Sequence, residues 1–339
     1  MLGGGHRRRV IFNHDFEEVI SVENLLGSWK EFLKGKRTRK DVQIFSLDLM
    51  ENIIGLHQDL SNYQYCHGLY QAFRINDPKP RQIHKSSVRD RLLHRAVYRF
   101  LYPFFDRLFI SDSFSCRLNK GTHKAINRFR AFAYKVSLNN TRTTWILKCD
   151  ISKFFENINH KILLDLLGQY ILDKDVISLL TQIVKSFSYA PNRGLPLGNL
   201  TSQLLVNIYM NEFDQFVKYE LKVKYYIRYA DDFTVFSRDK SWLEELLPRI
   251  DGFLTEKLKL TLHPSKISIR TLASGVDFLG WVQFSDHRVL RTSTKRRMFK
   301  KLDLSKNKNT LNSYLGLLKY GHTHKLRKRI YEKVNIDKA

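Results

Sequence analysis

The stretch KVKYYIRYADDFTVFSR, residues 222–238, decides the fold. Two runs of aromatic and β-branched residues, the composition of strands, flank Ala230, Asp231 and Asp232. The pattern is that of a hairpin with acids at its tip. Upstream, TWILKCD at 144–150 reads as a buried strand whose last residue, Asp150, is a carboxylate, and HKILLDLLGQYIL at 160–172 reads as helix. If these strands are neighbours in one antiparallel sheet, Asp150, Asp231 and Asp232 converge. An Asp-Asp pair alone is ordinarily a turn; a strand ending in a third acid gives it another meaning.

Between the two strands lies RGLPLGNLTSQLLVNIYMNEFDQFVK, residues 193–218, in which a glycine-bearing loop opens a helix. Leu204, Leu205, Ile208, Tyr209, Phe213, Phe216 and Val217 recur at helical spacing, so one face is core. Residues 20–75 have mixed helical periodicity, broken by Asn76, Asp77 and Pro78. Val88 to Phe109 reads as a long amphipathic helix interrupted or kinked at Pro103. GVDFLGWVQF, 275–284, has the look of a short hairpin, and residues 291–339 carry fifteen Lys or Arg against three acids.

A chain of 339 residues, 43% apolar, can bury a sizeable core and is long for one compact unit, so two or three packed subdomains are expected. No proline-rich linker or low-complexity tract separates them. With 58 Lys and Arg against 33 acids, a formal charge of +25 calls for a partner rich in phosphate or an anionic membrane. No run approaches the roughly twenty apolar residues of a spanning helix, and MLGGGHRRRV lacks a signal-type apolar core, so a soluble, cytoplasmic protein without a membrane role is expected. Cys66, Cys116 and Cys149 are widely separated, with no zinc-type spacing, and read as reduced packing residues. The 23 Phe and 16 Tyr beside so many cations suit stacking on bases while holding backbones, although most such rings are simply core.

Joining a nucleotide to a 3′-hydroxyl requires an activated attacking oxygen and a neutralised leaving pyrophosphate, a task for two metal ions about 4 Å apart. Magnesium prefers hard carboxylate oxygens. Here the residues resemble a known family. Tyr229-Ala230-Asp231-Asp232 is similar to the YxDD box of reverse transcriptases, and Asp150 to Phe155 with Asn157 to His160 resembles the preceding acidic motif of the bacterial enzymes. Leu195 to Gln203 resembles the nucleotide-cradling motif, and Phe278-Leu279-Gly280 the primer grip. Four ordered motifs span roughly residues 75–285.

The resemblance implies that Asp150 and Asp231 ligate both metals, with the Ile151 carbonyl assisting and Asp232 supporting, the ions being Mg2+ with Mn2+ as alternative. It implies a nucleotide pocket of Lys79, Arg81, Phe155, Leu197 and Gly198. Phe155 would stand under the sugar and exclude a 2′-hydroxyl, and Arg81 would hold the triphosphate, a task for which a planar guanidinium is suited. Lys266 resembles the lysine that protonates departing pyrophosphate; its bland reading is a solvated loop lysine.

Most reverse transcriptases have glutamine where this chain has Leu197. Leu-Gly-Asn-x-x-Ser-Gln resembles the diversity-generating retroelement enzymes, which copy a template RNA with errors at adenines, and Leu197 would loosen base selection because an apolar contact discriminates less sharply. A defence-associated enzyme copying a dedicated noncoding RNA and a catalytically idle RNA-binding scaffold are the other readings. The expected fold is α/β, a right-hand polymerase: N-terminal segment and fingers at 1–140, a palm with an antiparallel sheet and helices at 141–285, and a short basic helical thumb at 286–339. Expected partners are a structured template RNA, a primer–cDNA duplex, dNTPs and a small accessory protein.

Overall fold

The computed structural model describes residues 10–76, 80–304 and 307–336, the side chains of 304 and 333–336 excepted. Its contacts divide the chain into two compact units, each made of non-contiguous segments. The first holds 1–111, 151–220 and 252–261; the second holds 112–150, 221–251 and 262–339.

The first unit is mainly helical. Its longest helix, Val88–Asp106, starts where Ser87 accepts a hydrogen bond from the Asp90 amide, and Pro103 lies within its last turn. It packs against helices Val22–Phe32 and Leu200–Gln215. The apolar residues read at 204–217 are buried in the latter helix and in the turn Phe216–Glu220 that follows it, with Leu204, Leu205, Ile208, Tyr209, Phe213 and Val217 all under 4% exposed and Phe216 half-buried. Thr201, Ser202, Asn207 and Asp214 are buried as well, so the helix is enclosed on nearly every side and not on one face only. A hydrogen bond of 2.6 Å between His94 Nδ1 and Thr201 Oγ1 ties the helices together, and burial pushes the His94 imidazole down to about 3, so it is neutral. A two-stranded ribbon, β1 (Gln71–Ile75) and β2 (Arg81–Lys85), pairs Gln71 with Lys85 and Ile75 with Arg81.

The second unit carries β3 (Trp145–Asp150), β4 (Tyr226–Tyr229), β5 (Asp232–Ser237) and β6 (Ser268–Thr271). They form one antiparallel sheet in the order β4-β5-β3-β6, so the strand ending in Asp150 is central. Inward residues alternate along it: Ile146 and Phe236 face Phe129 of helix Thr122–Val136, whose ring lies edge-on to Phe236 at 4.7 Å and stacks on Phe278 at 5.1 Å. The hairpin expected at 275–284 is β7 (Val276–Phe278) and β8 (Trp281–Gln283), joined at a Leu279-Gly280 turn, and β9 (Arg288–Leu290) makes it three-stranded. The basic C-terminal part is helical over Thr292–Leu304, Lys308–Leu318 and His324–Ile336. Among the described residues no helix is long and apolar enough to cross a membrane.

Candidate active site

Antiparallel register places the acids. β3 and β5 pair so that Asp150 stands opposite Asp232, while Tyr229 opposite Asp232 closes the β4–β5 hairpin over Ala230 and Asp231. The turn needs a left-handed residue, and Ala230 supplies it at φ 56° despite its Cβ. Side chains repeat every second residue along a strand, so Lys148 shares a face with Asp150. Its ammonium lies 3.4 Å from Asp232 Oδ2 and donates to the Asp277 carbonyl at 2.7 Å.

Asp232 Oδ1 is buried and, among the described residues, has no hydrogen-bond partner. Burial pushes the Asp232 carboxyl up to about 7, against the Lys148 ammonium and with help from the charges of Asp150 and Asp231. Lys266, in the short turn Pro264–Lys266, donates from Nζ to Asp150 Oδ1 at 2.5 Å, and the His263 amide holds the Asp150 carbonyl at 2.8 Å. Two acids are thus each faced by a lysine. Among the described residues no three His, Cys, Asp or Glu side chains stand close enough to form a ready metal cage. Cys149, the residue before Asp150 and paired with Phe233, is fully buried and its thiol is pushed up to about 12 by burial, which makes it an inert packing group.

Arg228 was not singled out by the sequence reading. It is fully buried in β4; Nη1 donates to the Ala230 carbonyl at 3.1 Å and Nη2 to Ser113 Oγ at 3.1 Å. Its backbone pairs with Asp112 and Phe114, at 3.0 Å each. The guanidinium therefore braces the acid-bearing turn from inside. A charged residue within an otherwise aromatic strand was the available signal, since a buried charge needs partners. The same period-two argument picks out Lys148.

The other site residues expected from the sequence lie in the first unit. Ile151 is buried, and Lys153 turns the chain at φ 44° into helix Phe154–Asn157. Phe155 is half-buried, its ring edge-on to Phe154 at 5.6 Å, and its carbonyl accepts the Leu195 amide at 2.9 Å. The Leu197 carbonyl accepts the His84 amide at 2.9 Å, which ties the loop to β2, whose first residue is the exposed Arg81. Gly198 sits at φ 117°, and a Cβ there would come 2.7 Å from Ile83 Cγ2. Backbone hydrogen bonds thus link Phe155, the 195–198 loop and the strand of Arg81 within one unit. Lys79 lies outside the described residues.

Residues 76–283, more than half of the chain, match the family model described as reverse transcriptase (RNA-dependent DNA polymerase). The chain belongs to the reverse transcriptase family. Reverse transcriptases are RNA-directed DNA polymerases that work on RNA templates with divalent metal. Among curated relatives, protein YkfC of Escherichia coli K12 is 26% identical over 299 residues, covering 74% of this chain and 76% of its own. The group II intron-encoded protein LtrA of Lactococcus lactis is 26% identical over 348 residues; the match takes in 81% of this chain and spans about half, 54%, of LtrA. Telomerase from Candida albicans, solved with a fragment of telomeric RNA, superposes with a TM-score of 0.50 at 10% identity, over 69% of this chain and 48% of the telomerase, and shares the fold.

The donor set fits a hard divalent cation. Asp150 and Asp232 stand opposite each other where β3 and β5 meet, Asp231 is the next residue in the turn, and among the described residues Asp232 Oδ1 is buried with no hydrogen-bond partner, so hard carboxylate oxygens are on hand although their side chains do not yet form a closed cage.

Proposed function

We propose that this reverse transcriptase extends a primer with dNTPs on an RNA template, using Asp150, Asp231 and Asp232 as its carboxylate set. The observation that carries the reading is the register pair of Asp150 with Asp232, beside the Ala230-Asp231 turn that Arg228 braces. Asp150 and Asp231, with the Ile151 carbonyl, would hold Mg2+, and Asp232 would support them; Mn2+ suits the same oxygens. When bound, the metal supplies a Lewis acid for the attacking hydroxyl and the leaving phosphates.

The chain's own residues supply the rest. Lys266 rests on Asp150 and is the candidate to give a proton to departing pyrophosphate. Phe155, five residues past the first acid, would exclude a 2′-hydroxyl; Arg81, with Lys79, would meet the triphosphate; Gly198 lets the backbone of its loop lie against Ile83. Fingers at 1–140, palm at 141–285 and thumb at 286–339 are the functional parts in this reading, with the basic thumb following a primer–cDNA duplex.

Leu197 carries the finer reading. A leucine offers no hydrogen bond to a base, so selection at that contact rests on shape, and error-prone copying of the diversity-generating retroelement kind follows. A small accessory protein belongs to that reading too. The test is extension of primed RNA with dNTPs and magnesium. Wild type extends, Asp231→Ala does not while still binding RNA, and sequenced products misincorporate opposite template adenine. No extension on any primed template sinks the enzyme reading. Uniform accuracy sinks the retroelement branch and leaves faithful copying of a dedicated RNA, as in a defence role.

A further inference from the structure

The second unit contains a cavity of about 220 Å³ that the chemistry above does not use. It lies among helix Thr122–Val136, the turn between β8 and β9, and the loop after helix Lys308–Leu318. Its walls are cationic and aromatic. Arg130, Arg288, Lys319 and His322 line it with Phe284 and His287, and among the described residues no acid does. Asp286, the acid of the β8–β9 turn, is turned out to solvent and paired with His287 Nδ1 at 2.7 Å.

Each wall is held in place. The Phe284 amide donates to the His287 carbonyl at 2.8 Å, which closes the turn and stacks the two rings at 4.6 Å and 10°. Tyr320 stacks on His123 at 3.6 Å, and Gly321 approaches Trp281 so closely that a Cβ would lie 2.1 Å from that ring. Arg288 donates from Nε to the Tyr320 carbonyl and from both terminal nitrogens to Asn127 Oδ1 at 3.2 Å. A guanidinium has five N–H groups, so this geometry leaves donors over. Burial first, and then the charge of Arg130, lowers the Arg288 guanidinium, and both cations line the cavity with no acid beside them among the described residues.

At the same cavity Gln283 is 2% exposed, and its buried Nε2 has no hydrogen-bond partner among the described residues. A buried amide donor without an acceptor costs about 1–3 kcal/mol unless something accepts from it. Flat rings, unneutralised guanidiniums and one orphaned buried donor are what a base with a phosphate needs. The volume, below that of pockets for drug-sized ligands, suits one such unit.

We infer that this cavity is a second nucleotide site, distinct from the carboxylate set, which takes one nucleotide unit with its base against Phe284 and His287, its phosphate on Arg130 and Arg288, and an acceptor on Gln283 Nε2. The unit comes either from a free nucleotide or from a residue turned out of bound single-stranded nucleic acid. The inference does not rest on the polymerase reading, because the test reads binding in EDTA, where no extension occurs.

Full-length protein in EDTA is titrated with AMP, adenosine and inorganic phosphate by calorimetry, and separately irradiated with a short 4-thiouridine RNA followed by peptide mapping. Variants are the double charge reversal Arg130→Glu with Lys319→Glu, both at exposed positions, and Gln283→Leu. Removing an orphaned buried donor leaves the fold as stable as wild type or more so, so a weaker ligand with an unmoved melting curve isolates binding from structure. AMP binding that falls about tenfold or more in both variants supports a free-nucleotide site. Weak AMP binding with crosslinks to the 283–288 peptide, lost in the double reversal, supports the polymeric source. Phosphate binding as tight as AMP, binding that ignores the variants, or neither AMP binding nor crosslinks at 283–288 overturns the inference.

Discussion

Replacing Arg228 with methionine should unlatch the acid-bearing turn. The side chain is fully buried and makes charge-assisted hydrogen bonds to the Ala230 carbonyl and to Ser113 Oγ. Each such bond contributes about 1.5–3 kcal/mol, and the two together about 3–6. Ala230 is half-buried, so water can replace part of its share, whereas Ser113 is fully buried and its hydroxyl stays dry. A net loss of about 3–4 kcal/mol follows, a large fraction of the 5–15 kcal/mol typical of a domain and a fall in Tm of roughly 10 °C. Methionine matches the bulk but leaves both partners polar, so the neutral outcome seen when a whole buried polar set is made apolar does not apply. Urea denaturation followed by tryptophan fluorescence measures the loss. Arg228→Lys should keep about half of that 3–4 kcal/mol, and a double-mutant cycle with Ser113→Ala should give a coupling of about 1–2 kcal/mol. Arg228→Met unfolding at the wild-type midpoint, with zero coupling to Ser113, would refute the brace.

Other substitutions probe the remaining pieces. Gly198→Ala forces a Cβ at φ 117° onto Ile83, so stability should fall by about 1–3 kcal/mol in denaturant titration and KM for dNTPs should rise. Phe155→Ala should admit ribonucleotides, raising rNTP incorporation relative to dNTP at least about tenfold in single-turnover extension. His94 is held neutral in the fold, with its value lowered from the ordinary 6.5 to about 3, so the unfolded chain binds the extra proton between those limits. Stability should therefore drop as pH falls below about 6.5, by up to about 1.4 kcal/mol per unit from this group, and a His94→Gln variant should show a flatter profile in thermal melts at pH 4–7.

The features legible in the sequence were those with strong periodicity. Alternating aromatic and branched residues around Asp231 and the apolar strand ending at Asp150 predict the central sheet, and the 3.6-residue spacing at 204–217 gives its helix. The β1–β2 ribbon escaped because all five residues of β1 are exposed, so nothing in its pattern alternates. The chain enters and leaves each unit at 111, 150, 220, 251 and 261 without a glycine-rich or proline-rich tract, so composition carries no mark of the interleaving. What Lys148 and Arg228 hold was unreadable for a different reason: their partners are a carboxylate more than eighty residues away and a serine more than a hundred away, so a charge in a strand could flag the residue but not its role.

The pairing of Asp150 with Asp232 also makes the acids hostages of the core. A slip of one residue between β3 and β5 would carry Phe233 and Val235 to the opposite face and separate the two carboxylates in the same movement. Oil and water therefore enforce the spacing of charges: the hydrophobic side of the sheet acts as a ruler for the polar edge. In such a device length matters more than identity. A conservative change at Val235 or Leu147 leaves the ruler intact, whereas a single inserted residue in either strand displaces the acids even if every side chain of the site is still present.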